Sequence, residues 1–108
     1  MIYMVDIDDT ICMTPKVDGV NRYDLSLPLK ERIEIINNLY DDGHTIKYWT
    51  ARGSGSGLDW YEYTIEQLAL WGCKYHEFNV GKPSYDIWID DKAVNCDDYF
   101  QTMELITK

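Results

Sequence analysis

The chain is poor in several things that would each have set a direction. Among its 108 residues there are two histidines, three prolines, three cysteines and only ten lysines and arginines. Cys12, Cys73 and Cys96 are odd in number, far apart and form no CxxC pair. That pattern argues against a disulfide framework or a zinc site and for a reducing, cytoplasmic setting. His44 and His76 have no sequence neighbours that suggest ligation or a triad, and both read as structural. No apolar run approaches the ~18 residues of a membrane-spanning helix. The first residues lack the basic segment and long apolar stretch of a signal peptide, the initial apolar run being stopped by Asp6. Cations are outnumbered by nineteen Asp and Glu, which leaves a net charge of −9. Phosphate backbones are held chiefly by Lys and Arg, so this balance argues against nucleic acid as a partner. It still permits a small anionic substrate where a metal and a few cations dominate locally.

What is present is the composition of one globular domain, residues 1–108, with 45% hydrophobic and 27% charged residues. It opens on Ile2-Tyr-Met-Val-Asp6-Ile-Asp8-Asp9-Thr10, an apolar run that reads as a buried strand over 2–7 and ends in three carboxylates. Residues 10–27 show no sustained period and form a long connection, a kind of segment that tends to carry function. Arg22 and Tyr23, within it, read as plain loop residues. Pro28 suits the start of a helix that ends before Gly43, with Leu29, Ile33, Ile36 and Tyr40 on one stripe. Thr45–Trp49 reads as a second strand running into Thr50-Ala-Arg52.

A Gly/Ser segment, Gly53–Gly57, precedes a second helical pattern from Leu58 to about Trp71, with Leu58, Tyr61, Ile65 and Leu68 on its buried side. Trp60, Tyr63, Gln67 and Trp71 follow another side, as extra core or as a surface for homo-oligomerisation. The Gly/Ser segment is spaced GxGxG, not GxGxxG, and lacks GK[ST], so it reads as a hinge rather than a phosphate cradle. Strands are expected over 74–80 and 85–89, the latter ending in Asp90-Asp91, and a short helix from Asp97 onward.

Strands alternating with helices predict a parallel sheet in an α/β sandwich, where ligands bind beyond the carboxyl ends of the strands. The polar clusters fall at those ends: Asp6 and Asp8, then Thr50 and Arg52, then Asp90 and Asp91, with Lys82 in the loop before the last strand. Desolvated carboxylates repel one another and are costly unless a cation or proton compensates. Magnesium, a hard cation that prefers oxygen ligands, suits Asp6, Asp8, Asp90 and Asp91. The chain must curl after Asp6 for Asp8 to face the same pocket. One acid can then act as nucleophile while the other carries a proton. Thr50 and Lys82 suit a transferring phosphoryl group. Arg52 is a candidate for binding the substrate.

With these residues in order, the chain resembles the haloacid dehalogenase superfamily of aspartyl-phosphate phosphatases. Asp6-Ile-Asp8-Asp9-Thr10 is similar to its first motif, DxDx[TV]. Thr50 resembles the second, Lys82 in Gly81-Lys82-Pro83 the third, and Asp90-Asp91 the acidic fourth. The resemblance implies a Rossmann-like three-layer α/β sandwich with a mainly parallel sheet and no cap domain, since 10–27 and 53–57 are too short for one. It implies Asp6 as nucleophile and magnesium ligand. Asp8 would be the proton carrier, lending its backbone carbonyl to the metal. Asp90 and Asp91 would complete the metal site, Thr50 and Lys82 would hold the phosphoryl group, and Thr10 would brace the turn.

Residues 50–52 and 81–93 are also similar to small proteins linked to capsular polysaccharide and sugar-phosphate metabolism. The expected activity is magnesium-dependent hydrolysis of a sugar phosphate or other small phosphorylated metabolite. A non-catalytic phosphate-binding or regulatory module, or a phosphatase for a nucleotide or polynucleotide end, are the alternatives.

Overall fold

The computed structural model describes residues 1–54 and 57–107. Strand β1, Ile2–Val5, pairs in parallel with β6, Thr45–Trp49, in the register Ile2↔Thr45 to Val5↔Tyr48. On the other side of β6 lies β7, Glu77–Asn79, also parallel, so the order is β1-β6-β7. The central strand shows why it is central. Ile46 and Tyr48 are fully buried, while Thr45, Lys47 and Trp49 are half-buried. Such near-continuous burial is the habit of a parallel strand covered by helices.

β1 stops two residues short of the expected 2–7 because the chain curls there. The Ile7 carbonyl accepts from Thr10 N and Ile11 N, and Asp9 takes the left-handed conformation at φ 59°. Asp tolerates that region better than most residues. The curl keeps Ile7 and Ile11 in the core.

The connection after this curl is more ordered than its sequence suggests. β2, Cys12–Met13, pairs antiparallel with β5, Leu27–Pro28, and between them β3, Lys16–Val17, pairs with β4, Val20–Asn21. Asp18-Gly19, with φ of 54° and 76°, makes the turn of this small hairpin. An Asp-Gly pair is well suited to two successive positive φ values. A 3-10 turn over Tyr23–Leu25 follows.

Helix α1, Lys30–Asp41, buries Ile33, Ile35, Ile36 and Leu39, packing on β6 and against α3. It ends where Gly43, at φ 94°, lets His44 N reach back to the Leu39 carbonyl. α2, Tyr61–Leu70, is shorter than the expected Leu58–Trp71, with Leu68 and Thr64 buried and Ile65 packed against the core. Leu58 and Tyr61, expected on the buried side, are exposed, although Tyr61 stacks on Phe78. α3, Cys96–Thr107, closes the chain, with Phe100 in the core and the Asn95 side chain accepting from Asp97 N.

The Rossmann-like three-layer sandwich with a mainly parallel sheet is not what forms. Among the described residues the parallel sheet has three strands and stands beside two antiparallel ribbons of two strands each, with three α-helices. The expected strand over 85–89 is absent, and Ile87 and Ile89 are 79% and 93% exposed. Trp88 instead sets its ring edge-on to Trp49 and Tyr85, whose centroids lie 6.2 and 5.1 Å away. Aromatic contacts hold this segment outside the sheet. The hinge reading of Gly53–Gly57 falls in part on residues 55 and 56, outside the described residues.

Candidate functional site

Asp6, Asp8, Thr50, Arg52 and Lys82 gather beyond the carboxyl ends of β1 and β6. Asp6 follows β1 directly, its side chain 34% exposed. Its Oδ1 lies 3.5 Å from Lys82 Nζ, and its Oδ2 accepts a long hydrogen bond of 3.4 Å from Thr10 Oγ1. Thr10 therefore braces the first acid of the curl. Burial pushes the Asp6 carboxyl above the usual carboxylate range, and the nearby Asp8 adds to this; Lys82 and the Ile7 backbone oppose it without cancelling it.

Lys82 is brought here by backbone rather than by a strand of its own. Its N–H donates to the Thr50 carbonyl at 3.1 Å, and its carbonyl accepts from Ser54 Oγ at 2.8 Å. Its ammonium also lies 5.5 Å from the centroid of Tyr85. Thr50 is fully buried at the end of β6, and its N–H donates to the Asn79 carbonyl. Thr50 Oγ1 accepts from Arg52 N at 3.1 Å. A hydroxyl carries one donor and two acceptor positions, so its proton stays available to a further oxygen.

Asp8 and Arg52 form the tightest part of the cluster. Arg52 Nη2 donates to Asp8 Oδ1 at 2.9 Å, and Nε donates to Oδ2 at 3.0 Å and to Oδ1 at 3.3 Å. Thr14 Oγ1 donates to Oδ1 at 2.5 Å and meets Ser26 Oγ at 2.7 Å. The rest of the guanidinium is directed into the protein. Nη1 reaches Thr64 Oγ1 at 3.2 Å and Gln67 Oε1 at 2.6 Å, and the group lies over the Tyr23 ring at 4.7 Å. Gln67 Nε2 in turn donates to the Tyr23 carbonyl at 2.9 Å. Arg52 thus joins the first curl, the 3-10 turn and α2 at one point.

Thr14, Thr64 and Gln67 were not legible as site residues. Gln67 offered a signal, being the polar member of an otherwise aromatic stripe; Thr14 and Thr64 offered none. Arg22 pairs with Asp24 rather than with the site, whereas Tyr23, read as a plain loop residue, supports Arg52.

Asp90 and Asp91 are not gathered with the other acids. Both are exposed, in the segment that stays out of the sheet. Asp90 Oδ1 accepts from Lys92 N at 3.0 Å and Oδ2 from the Trp88 indole at 3.2 Å. The Lys92 backbone N–H above all, with Asp91 and the Trp88 indole, holds the Asp90 carboxyl below the usual range. Among the described residues no three His, Cys, Asp or Glu side chains are placed to hold a metal ion. As arranged, the four acids are not gathered around one point: Asp90 and Asp91 stand apart from Asp6, Asp90 is turned to its own neighbours, and the Asp8 side chain is turned to Arg52 and Thr14. Nor do Cys12 and Cys73 offer an alternative nucleophile. Burial pushes Cys12 up to about 11 and Cys73 up to about 12.

No family model matches the chain, and no curated protein matches it. Among solved structures it is similar to the crystal structure of an MCSG target protein from Vibrio cholerae. The two share 23% identity over 99% of this chain and 98% of that one, with a TM-score of 0.74. This likeness concerns the fold: a small α/β arrangement spanning nearly the whole of both chains. Among the described residues no helix is long and apolar enough to cross a membrane.

Proposed function

We propose that the chain is a phosphomonoester hydrolase that works through an aspartyl phosphate on Asp6, acting on a sugar phosphate or another small phosphorylated metabolite in the cytoplasm. The observation that carries this reading is the pairing of a half-buried Asp6 with Lys82 at 3.5 Å, beyond the ends of the parallel strands. A carboxylate nucleophile and an anionic phosphoryl group repel each other unless a cation lies between them, and Lys82 supplies one. An Asp6 oxygen attacks phosphorus while the bond to the ester oxygen breaks, and Asp8 gives its proton to that oxygen. Water then attacks the phosphorylated Asp6, Asp8 takes the proton back, and inorganic phosphate leaves with Asp6 restored. Thr50 would donate its hydroxyl proton to a phosphoryl oxygen once the site opens enough to admit one.

Magnesium dependence, which the resemblance implies, belongs to the proposal; no step above runs through the ion, because Asp90 and Asp91 are not gathered with Asp6 and Asp8. The acidic balance weighs against a polynucleotide end. One observation favours a non-catalytic phosphate-binding module instead, namely that Asp8 is already engaged by Arg52. An assay with p-nitrophenyl phosphate and a panel of sugar phosphates, with and without magnesium, separates the two. Turnover that vanishes in Asp6→Asn supports the hydrolase. No turnover of any monoester, with inorganic phosphate still bound, supports the module.

A further inference from the structure

We propose that Arg52 acts as a positioning residue for Asp8 rather than as a ligand of the substrate phosphate, and that with Thr14 it selects Asp8 Oδ2 as the oxygen that moves the proton. This rests on the hydrolase reading above. The residue is 2% exposed, with its guanidinium spent on Asp8, Thr64 and Gln67 and its face on Tyr23. A side chain so enclosed can reach a phosphate only by abandoning a paired carboxylate, the buried Thr64 and the half-buried Gln67, and leaving enclosed polar groups unpaired is costly.

The two oxygens of Asp8 are not equivalent. Oδ1 accepts from Arg52 Nη2 at 2.9 Å, from Arg52 Nε at 3.3 Å and from Thr14 Oγ1 at 2.5 Å. Oδ2 accepts from Arg52 Nε alone, at 3.0 Å. A carboxylate oxygen has two lone pairs, so Oδ1 is filled and Oδ2 retains one. When Asp8 carries a proton it therefore sits on Oδ2, which gives it to the departing ester oxygen as the phosphorus–oxygen bond breaks. Ser26 completes the arrangement. Thr14 has one hydroxyl proton and directs it to Asp8, so the 2.7 Å contact leaves Ser26 as donor to Thr14. The planar two-pronged geometry is what a lysine cannot reproduce.

The test compares phenyl phosphate with p-nitrophenyl phosphate, two esters of nearly one shape whose leaving groups differ in their need for a proton. In Thr14→Val and Arg52→Lys, kcat on phenyl phosphate should fall at least about tenfold further than on p-nitrophenyl phosphate. That is a share of the ~10²–10⁴ that a positioned acid contributes. KM should move little for either ester. A rise in KM on both esters with kcat kept would mean that Arg52 binds the phosphate, and would overturn the proposal. Equal losses of kcat on both esters would overturn it as well. Should Arg52→Lys fail to fold, Thr14→Val, a near-isosteric change at a half-buried loop position, decides alone. Wild-type protein that turns over neither ester overturns the hydrolase reading itself, and this inference with it.

Discussion

At the scale of single residues, the two acids of the first motif differ by environment rather than by type. Asp6 is desolvated beside one lysine, whereas Asp8 is held by a guanidinium and a hydroxyl. Because burial raises the Asp6 carboxyl in the folded protein, the folded state binds that proton more tightly than the unfolded chain does. Stability from this group is then present below the ordinary aspartate range and is lost as pH rises through the raised value. Asp6→Asn removes the loss. Thermal unfolding should show the variant more stable than wild type at neutral pH, with a gain of about a few degrees. At about pH 2.5, more than one unit below the ordinary aspartate value, the two should converge. A variant less stable than wild type at neutral pH would show that the Lys82 contact outweighs desolvation.

At the scale of elements, legibility followed length and burial. β6 spans the five residues its sequence suggested, because a strand with fully buried Ile46 and Tyr48 between half-buried neighbours leaves a clear pattern. α1 was legible for the same reason, with Leu29, Ile33, Ile36 and Tyr40 recurring at helical spacing, though Ile35 and Leu39 join Ile33 and Ile36 in the core. β2 to β5 were not legible, since a strand of two residues has no period; only Asp18-Gly19 between Val17 and Val20 marked the hairpin. The segment 85–89 shows the opposite failure. Its alternation of Tyr85, Ile87 and Ile89 reads as a strand, but pattern alone cannot say whether a sheet edge or Trp49 will receive it. Of the site, Asp6, Asp8, Thr50 and Arg52 were legible by their places at expected strand ends, and Lys82 by its place in the loop before an expected strand that does not form. Their partners Thr14, Thr64 and Gln67 were not, because single hydrogen-bonding side chains across a loop or on another element leave no periodic pattern.

Gly53 ties the element scale to the site. It stands at φ 83°, next to Arg52, and a Cβ added there would clash with the Leu58 carbonyl oxygen. Backbone must move to admit it, and the turn that presents Arg52 moves with it. Gly53→Ala is expected to lower the melting temperature by about 4–8 °C or more, the equivalent of ~1 kcal/mol in a domain of this size. An unchanged melting temperature would show that the turn yields without cost.

At the scale of the whole molecule, a small acidic chain with few cations places two of them, Lys82 and Arg52, against the acids that follow its first strand. On the proposed reading Lys82 faces the incoming anion, while Arg52 is spent on Asp8, Thr64 and Gln67. On the same reading, cover for the substrate would come from the substrate's own bulk or from a second copy of the chain. Homo-oligomerisation is accordingly part of the proposal. The central claim is that Asp6 becomes phosphorylated, and the most direct measurement is to trap the intermediate. The protein is mixed with p-nitrophenyl phosphate and magnesium, quenched in acid and digested, and its peptides are read by mass spectrometry with and without hydroxylamine. The account predicts a phosphoryl group on Asp6 that hydroxylamine removes and that Asp6→Asn never acquires. Turnover without a phosphorylated Asp6, or with the label on another residue, would contradict it.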